Sequence, residues 1–243
     1  MKAFLLLAAF LLLADGALAQ SVSIDLGANG QPGATSRLVQ LTALIGLLSL
    51  APSLLIMTTA FTRIMIVLSL LRSALGAQGV PPNPVLIGLA LFLSFFVMQP
   101  VLEEAWRLGV VPMNEGRLGD LEALAAMAEP FRRFMAANVR ESDLALFLDL
   151  AKLPASAPDQ APFRGLMPAF LVTELKRAFE IGFLLFLPFL VIDMVVASIL
   201  MSLGMMMLPP SMVALPFKLI FFVLVDGWAL LSSSLVQGFA MPP

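Results

Sequence analysis

Residues 38–62 and 85–102 carry no charge, residues 169–203 and 212–239 are apolar with a few isolated charges, and residues 103–164 mix charged and apolar positions at helical spacing. An apolar run of about 20 residues is what a membrane-crossing helix requires, because its backbone must satisfy its own hydrogen bonds away from water. The first run continues through residues 64–71, framed by Arg63 and Arg72, and Pro52 marks a candidate kink within it. It ends in Gly76-Ala77-Gln78-Gly79-Val80-Pro81-Pro82-Asn83-Pro84, where an Asn between prolines cannot continue a helix. A second apolar helix is predicted from Val85, ending near Gln99-Pro100.

Residues 103–164 hold more than half of the charged side chains, of both signs, with helical patterning over 121–135 and 142–150. This predicts a water-facing helical insertion, closed by a Pro, Ala and Ser linker at 154–162. The last two apolar runs are joined by Gly204-Met205-Met206-Met207-Leu208-Pro209-Pro210 and form a second predicted hairpin. No repeat of fixed period runs along the chain, which argues against a solenoid.

Composition sharpens this picture. Of 243 residues, 60% are hydrophobic and 12% charged, against about 45–50% apolar in soluble domains, so an integral membrane or membrane-complex protein is expected. A net charge of -2 and the lack of a basic run give no footprint for nucleic acid. With no Cys and no His, disulfides, thiolate or imidazole metal sites and His-dependent triads are excluded, and no metal or cofactor is expected. No Gly-Lys-Ser or Gly-Lys-Thr follows the glycines near residue 76, so no phosphate loop is present.

Met1-Lys2, the apolar run 3–14 and Ala17-Leu18-Ala19 before Gln20 fit a secretory signal peptide over residues 1–19, cleaved between Ala19 and Gln20. The Gly-, Ser- and Asn-rich residues 20–37 then read as a flexible tail outside the cytoplasm. The first helix runs inward, which puts Arg63 and Arg72 at the cytoplasmic interface as snorkelling anchors and the insertion outside. Counting spans places the Met turn in the cytoplasmic half.

The candidate functional residues are the few polar ones inside apolar helices. A charge at a bilayer centre costs about 2.5–3.5 kcal/mol on insertion scales, so Glu174, Glu180, Asp193, Lys218 and Asp226 should face protein or water. Asp193 and Asp226 invite comparison with an intramembrane aspartyl protease dyad, but neither lies in a Gly-x-Gly-Asp setting. Glu174, Glu180, Asp193 and Lys218 equally suit a proton-coupled transporter. Met205, Met206 and Met207 stand where hairpins normally place Asn, Asp, Ser or Lys. Unbranched thioethers are either core filler, lipid contact or a deformable seal.

Two segments carry a specific resemblance. Pro81-Pro82-Asn83-Pro84-Val85-Leu86-Ile87-Gly88-Leu89-Ala90-Leu91-Phe92-Leu93 and Pro168-Ala169-Phe170-Leu171-Val172-Thr173-Glu174-Leu175-Lys176-Arg177-Ala178-Phe179-Glu180-Ile181-Gly182-Phe183 resemble the FliP family of flagellar type III export-gate proteins. The likeness continues through Phe189-Leu190-Val191-Ile192-Asp193, the Met turn, Leu215-Pro216-Phe217-Lys218 and Val225-Asp226-Gly227-Trp228.

The resemblance implies a non-enzymatic protein of the bacterial inner membrane at the flagellar basal body, and nothing of it is carried over to much of the insertion. The residue pattern itself gives an all-α chain with helical hairpins over 38–102 and 166–243 flanking a periplasmic insertion over 103–165. The resemblance further implies a pentamer that joins FliQ and FliR and other flagellar export components in a helical ring, largely above the membrane plane, and passes unfolded flagellar subunits. The Met turn would be the pore seal, and Glu174 and Lys218 an ion pair between neighbouring subunits. Injectisome export-gate subunits share much of this pattern, and the signal peptide favours the flagellar branch.

Overall fold

The computed structural model describes residues 42, 45, 46, 49, 53, 56–77, 79–205 and 207–241. The expected cleavage site at Ala19 and Gln20, the tail over 20–37, the kink at Pro52 and the central Met206 lie outside them. Residues up to Leu50 form a separate unit, in which Ser49 Oγ donates to Gly46 O at 2.7 Å, as a helical turn does. The second unit, from Ala51 onward, contains everything described below.

From Phe61 onward, its helices among the described residues are α1 (Phe61–Leu75), α2 (Asn83–Ala105), α3 (Val111–Asn114), α4 (Asp120–Asn138), α5 (Glu141–Leu150), α6 (Phe163–Ser202), α7 (Pro210–Leu224) and α8 (Gly227–Gln237). A π-helical turn, Trp106–Val110, joins α2 to α3, and a 3-10 turn, Pro158–Gln160, precedes α6. No strand occurs among the described residues, so the fold is all-α.

The local signals account for most helix ends. Gly76 adopts φ 74°, the left-handed conformation that stops α1 without Cβ strain. Pro82 and Pro84 start α2, where missing N–H groups cost nothing. Asp120 and Glu122 sit in the first turn of α4, and Gly119 N–H donates to the Glu122 carboxylate at 3.3 Å.

Three expectations are corrected. Pro100 does not end α2: the helix runs five residues further, to Ala105, because Val97, Met98 and Val101 are buried around the proline and that packing outweighs one lost hydrogen bond. Asp226 is not inside a helix. It takes φ 49° and ψ 50° as the N-cap of α8, at the break where α7 and α8 bend by 62°. Arg63 is not an interfacial anchor, since it is 1% exposed in the core.

That core is organised by α1, whose Ile64, Val67, Leu68 and Leu71 are buried among α2, α6 and α7. The predicted amphipathic helices in the 103–164 region exist as α4 and α5, and their apolar faces close the core with Phe134, Met135, Leu144 and Leu148. Two glycines set close approaches between elements remote in sequence. A Cβ on Gly182 would lie 2.2 Å from Leu70 Cδ1, and one on Gly109 would lie 2.1 Å from Met127 Cγ, so only glycine lets α6 meet α1 and the π turn meet α4.

Among the described residues, Asn83–Asn114 and Phe163–Ser202 are long and apolar enough to cross a membrane, and the bent α7–α8 pair makes a third candidate span.

Candidate functional site

Glu174 lies on α6 facing α1 and is fully buried. Arg63 Nε donates to its Oε2 at 2.7 Å and Arg63 Nη2 to its Oε1 at 2.5 Å, a bidentate pair that matches the guanidinium fork to both carboxylate oxygens. The remaining nitrogen, Nη1, donates to Gly238 O at 2.8 Å, and the guanidinium lies 3.7 Å from the Phe239 ring centroid. All three guanidinium nitrogens are thus engaged, which is why a charge expected at an interface is stable in the core.

Lys218 of α7 makes the second pair. Its Nζ donates to Asp193 Oδ2 at 2.6 Å and to Ala74 O at 3.1 Å, near the C-terminal end of α1, where helix carbonyls carry partial negative charge. Lys218 is 5% exposed, whereas the Asp193 side chain is 36% exposed, and Asp193 Oδ1 is buried with no hydrogen-bond partner. Glu174 and Lys218, expected to pair between subunits, therefore each hold a different partner within the chain.

The other predicted charges are placed more plainly. Arg140 Nη2 donates to both Glu180 oxygens, at 2.8 and 2.7 Å, in an exposed pair of the kind that contributes little stability. Asp193 is engaged by Lys218 rather than by Asp226, which stands at the N-cap position of α8 without a side-chain capping bond. Arg72 is half-buried, and its Nη1 donates to Asn83 Oδ1 and, at 3.4 Å, to Pro81 O, bracing the turn between α1 and α2.

The methionine turn closes α6 through paired bonds. Gly204, at φ 72°, donates to Met201 O at 3.1 Å, and Met205 N–H donates to Leu200 O at 2.9 Å. This is the Schellman arrangement, and it throws the next residues clear of the helix. Met205 is 44% and Met207 98% exposed, with Leu208 at 43% beside them. Among the described residues, then, the turn carries apolar side chains that the chain does not cover.

Sequence reasoning missed the polar contacts that dock α5 on α6. Thr173 Oγ1 donates to Asp143 Oδ2 at 2.9 Å, Lys176 Nζ donates to Asp143 Oδ1, and Arg140 N–H donates to Thr173 Oγ1 at 3.2 Å. Burial pushes the Asp143 carboxyl up, but the hydrogen bonds from Lys176 and Thr173, with the Lys176 and Arg140 charges, outweigh it and hold the group below the usual carboxylate range. These partners lie at least 30 positions apart, so no local spacing announces them. No group of three or more His, Cys, Asp or Glu residues able to hold a metal ion occurs among the described residues.

Comparison with known proteins bears on what this arrangement serves. Residues 44–235 match the FliP family model. The chain is 56% identical over 225 residues to the flagellar biosynthetic protein FliP of Caulobacter vibrioides, covering 92% of this chain and 84% of that protein. It is 50% identical over 218 residues to the protein of the same name from Bacillus subtilis, covering 89% and 98%. With that of Pectobacterium carotovorum it shares 54% over 202 residues, covering 83% and 78%.

Proposed function

The chain belongs to the FliP family, and from that premise we propose that it is a pore-forming, non-enzymatic subunit of the flagellar type III protein export gate. It passes unfolded flagellar subunits across the bacterial inner membrane at the flagellar basal body. The observation that carries this reading is the bare methionine turn between α6 and α7, with Met207 98% exposed. Thioether side chains brought together by several copies exclude ions, because hydration is costly to strip and the lining returns nothing for it. An extended polypeptide supplies its own contacts and deforms the unbranched side chains as it slides.

Several copies, five by family resemblance, surround a common axis together with FliQ and FliR. The apolar outer faces of α2 and α6, bare at Phe92, Phe95, Phe183 and Leu184, then meet neighbouring subunits or lipid. In this reading residues 1–19 are removed on export, 20–37 form the tail, 38–102 and 166–243 form the two hairpins, and 103–165 lie on the periplasmic side. The curated relatives bear a flagellar name, which supports the flagellar over the injectisome branch. An intersubunit contact between Glu174 and Lys218 belongs to this proposal as an exchange, since Arg63 and Asp193 hold those groups within one chain.

Replacing Met205, Met206 and Met207 with Ala tests the seal. Complexes that still assemble with FliQ and FliR are expected to conduct ions in planar bilayers while the parent complex stays closed. Equal, negligible conductance from assembled mutant and parent complexes would overturn the assignment.

A further inference from the structure

The chain beyond α8 does not simply trail away: Gly238-Phe239-Ala240 is held by side chains of two helices remote in sequence, α1 and α4. Phe239 is 6% exposed and lies between the Arg63 guanidinium, 3.7 Å from the ring centroid, and the Phe134 ring, whose centroid is 5.9 Å away at 27°. On one side of that ring Arg63 Nη1 donates to Gly238 O at 2.8 Å. On the other, the amide of Asn138 reads the backbone of Ala240 twice: Ala240 N–H donates to Asn138 Oδ1 at 3.0 Å, and Asn138 Nδ2 donates to Ala240 O at 2.8 Å. Asn138 is fully buried and is itself fixed by a bond from Nδ2 to Phe134 O at 2.9 Å.

We propose that Gly238-Phe239-Ala240 is a docked peptide ligand of a receptor built by Arg63, Phe134 and Asn138, a clasp that closes over the buried Arg63–Glu174 pair and can open without unfolding the core. The geometry is that of peptide recognition, with main-chain groups read on both flanks of one anchoring side chain. A guanidinium over an aromatic face adds attraction when desolvated, and its bond to Gly238 O is charge-assisted. The outer side of the segment is at the surface, since Gly238, Ala240 and Met241 are exposed, so release leaves α1 and α4 in place and costs the burial of Phe239 and the bonds to Arg63 Nη1 and the Asn138 amide.

The receptor defines its ligand class. An aromatic residue must fill the slot between Arg63 and Phe134. The preceding residue must be small, because a Cβ at Gly238 would lie 3.1 Å from Ser234 O and 3.4 Å from Arg63 Nη1. The following residue must keep its N–H for Asn138, which excludes proline. Covalent attachment holds the segment near its slot at an effective concentration on the order of millimolar, so a free peptide competes only when the tethered segment is weakened.

The chain contains no cysteine, so a single Met241→Cys substitution in the full chain accepts a nitroxide label beside the clasp. The label is expected to be immobilised in the parent and several-fold more mobile after Phe239→Ala, Asn138→Ala or Ala240→Pro, while Phe239→Trp keeps it immobilised. A synthetic peptide with the sequence of residues 236–241 should bind the Phe239→Ala chain and not the parent, and a version with its own Phe replaced by Ala should bind neither. Equal label mobility across parent and variants, or peptide binding indifferent to that Phe, would overturn the proposal. Should Phe239→Ala or Asn138→Ala fail to fold, Ala240→Pro against Ala240→Gly decides the matter, because Ala240 is exposed and only proline removes the N–H.

Discussion

Within the single helix α6, residues 163–182 bury Leu166, Ala169, Phe170, Glu174 and Gly182 against other helices, whereas residues 183–202 bury only Phe189, Val196 and Leu200 and leave Phe183, Leu184, Met194 and Ile199 exposed. At about 1.5 Å per residue each half is roughly 30 Å long, enough to traverse a hydrocarbon core. The two ion pairs follow the same division. Arg63–Glu174 in the first half has every polar atom engaged, and Lys218–Asp193 in the second leaves Asp193 Oδ1 without a partner. One half of the helix is completed by its own chain, and the other presents apolar surface to its surroundings and keeps a buried carboxylate oxygen unpaired.

The largest test of that difference removes one charge from the completed half. Glu174→Ala strands the Arg63 guanidinium in the core and is expected to lower stability by about 3–5 kcal/mol, read from thermal or denaturant unfolding of the purified chain. Replacing both partners, Arg63→Met with Glu174→Leu, should recover much of that loss, because burial of a fully paired charge gains little over apolar packing. A Glu174→Ala chain as stable as the parent would show that the first half is no more closed than the second.

Packing provides the next test. Gly182→Ala forces a methyl group to 2.2 Å from Leu70 Cδ1 and should cost about 1–3 kcal/mol. Gly88→Ala on α2 meets nothing within 4 Å and should gain up to about 1 kcal/mol from helix propensity. In the second half, Asp193→Ala leaves Lys218 with Ala74 O alone. Because the aspartate side chain is 36% exposed, the expected loss is about 1–2 kcal/mol, below that of Glu174→Ala.

What could be read beforehand follows from how far each interaction reaches along the chain. The apolar runs, the two amphipathic helices and the Met turn depend on neighbours within a few residues, and periodicity with Gly and Pro marks them. The partners of Arg63 and Asn138 do not: Glu174 lies 111 positions from Arg63, and Ala240 lies 102 from Asn138. Hydropathy alone assigns a lone arginine near a helix end to an interface, since it sees the charge and not the carboxylate, carbonyl and ring that satisfy it. Pro100 misled for a related reason, because the buried residues that carry α2 past it are packed by other helices. The Val225-Asp226-Gly227 break is signalled only by one glycine, which is weak evidence against an otherwise apolar run.

The smallest expected effect asks whether the docking of α5 on the first half of α6 is electrostatic as well as apolar. Asp143 is 2% exposed and is faced by Lys176 and Thr173 of α6 and by Arg140 at its own helix start, and its carboxyl sits below the usual range. Its contribution should be fully present above the unfolded pKa of about 3.9 and be lost as pH falls through the lower folded value. Asp143→Asn removes the ionisable group and keeps the shape. Thermal midpoints measured against pH should therefore place the parent above the variant from neutral pH down to about 4, with the two curves converging in more acid solution. A constant offset at every pH would assign the docking to shape and apolar burial alone. Since the Lys176 side chain is 48% exposed, solvent screens the pair and the gap should shrink further in high salt, whereas the loss caused by Glu174→Ala, made between groups 2% and 0% exposed, should hardly respond.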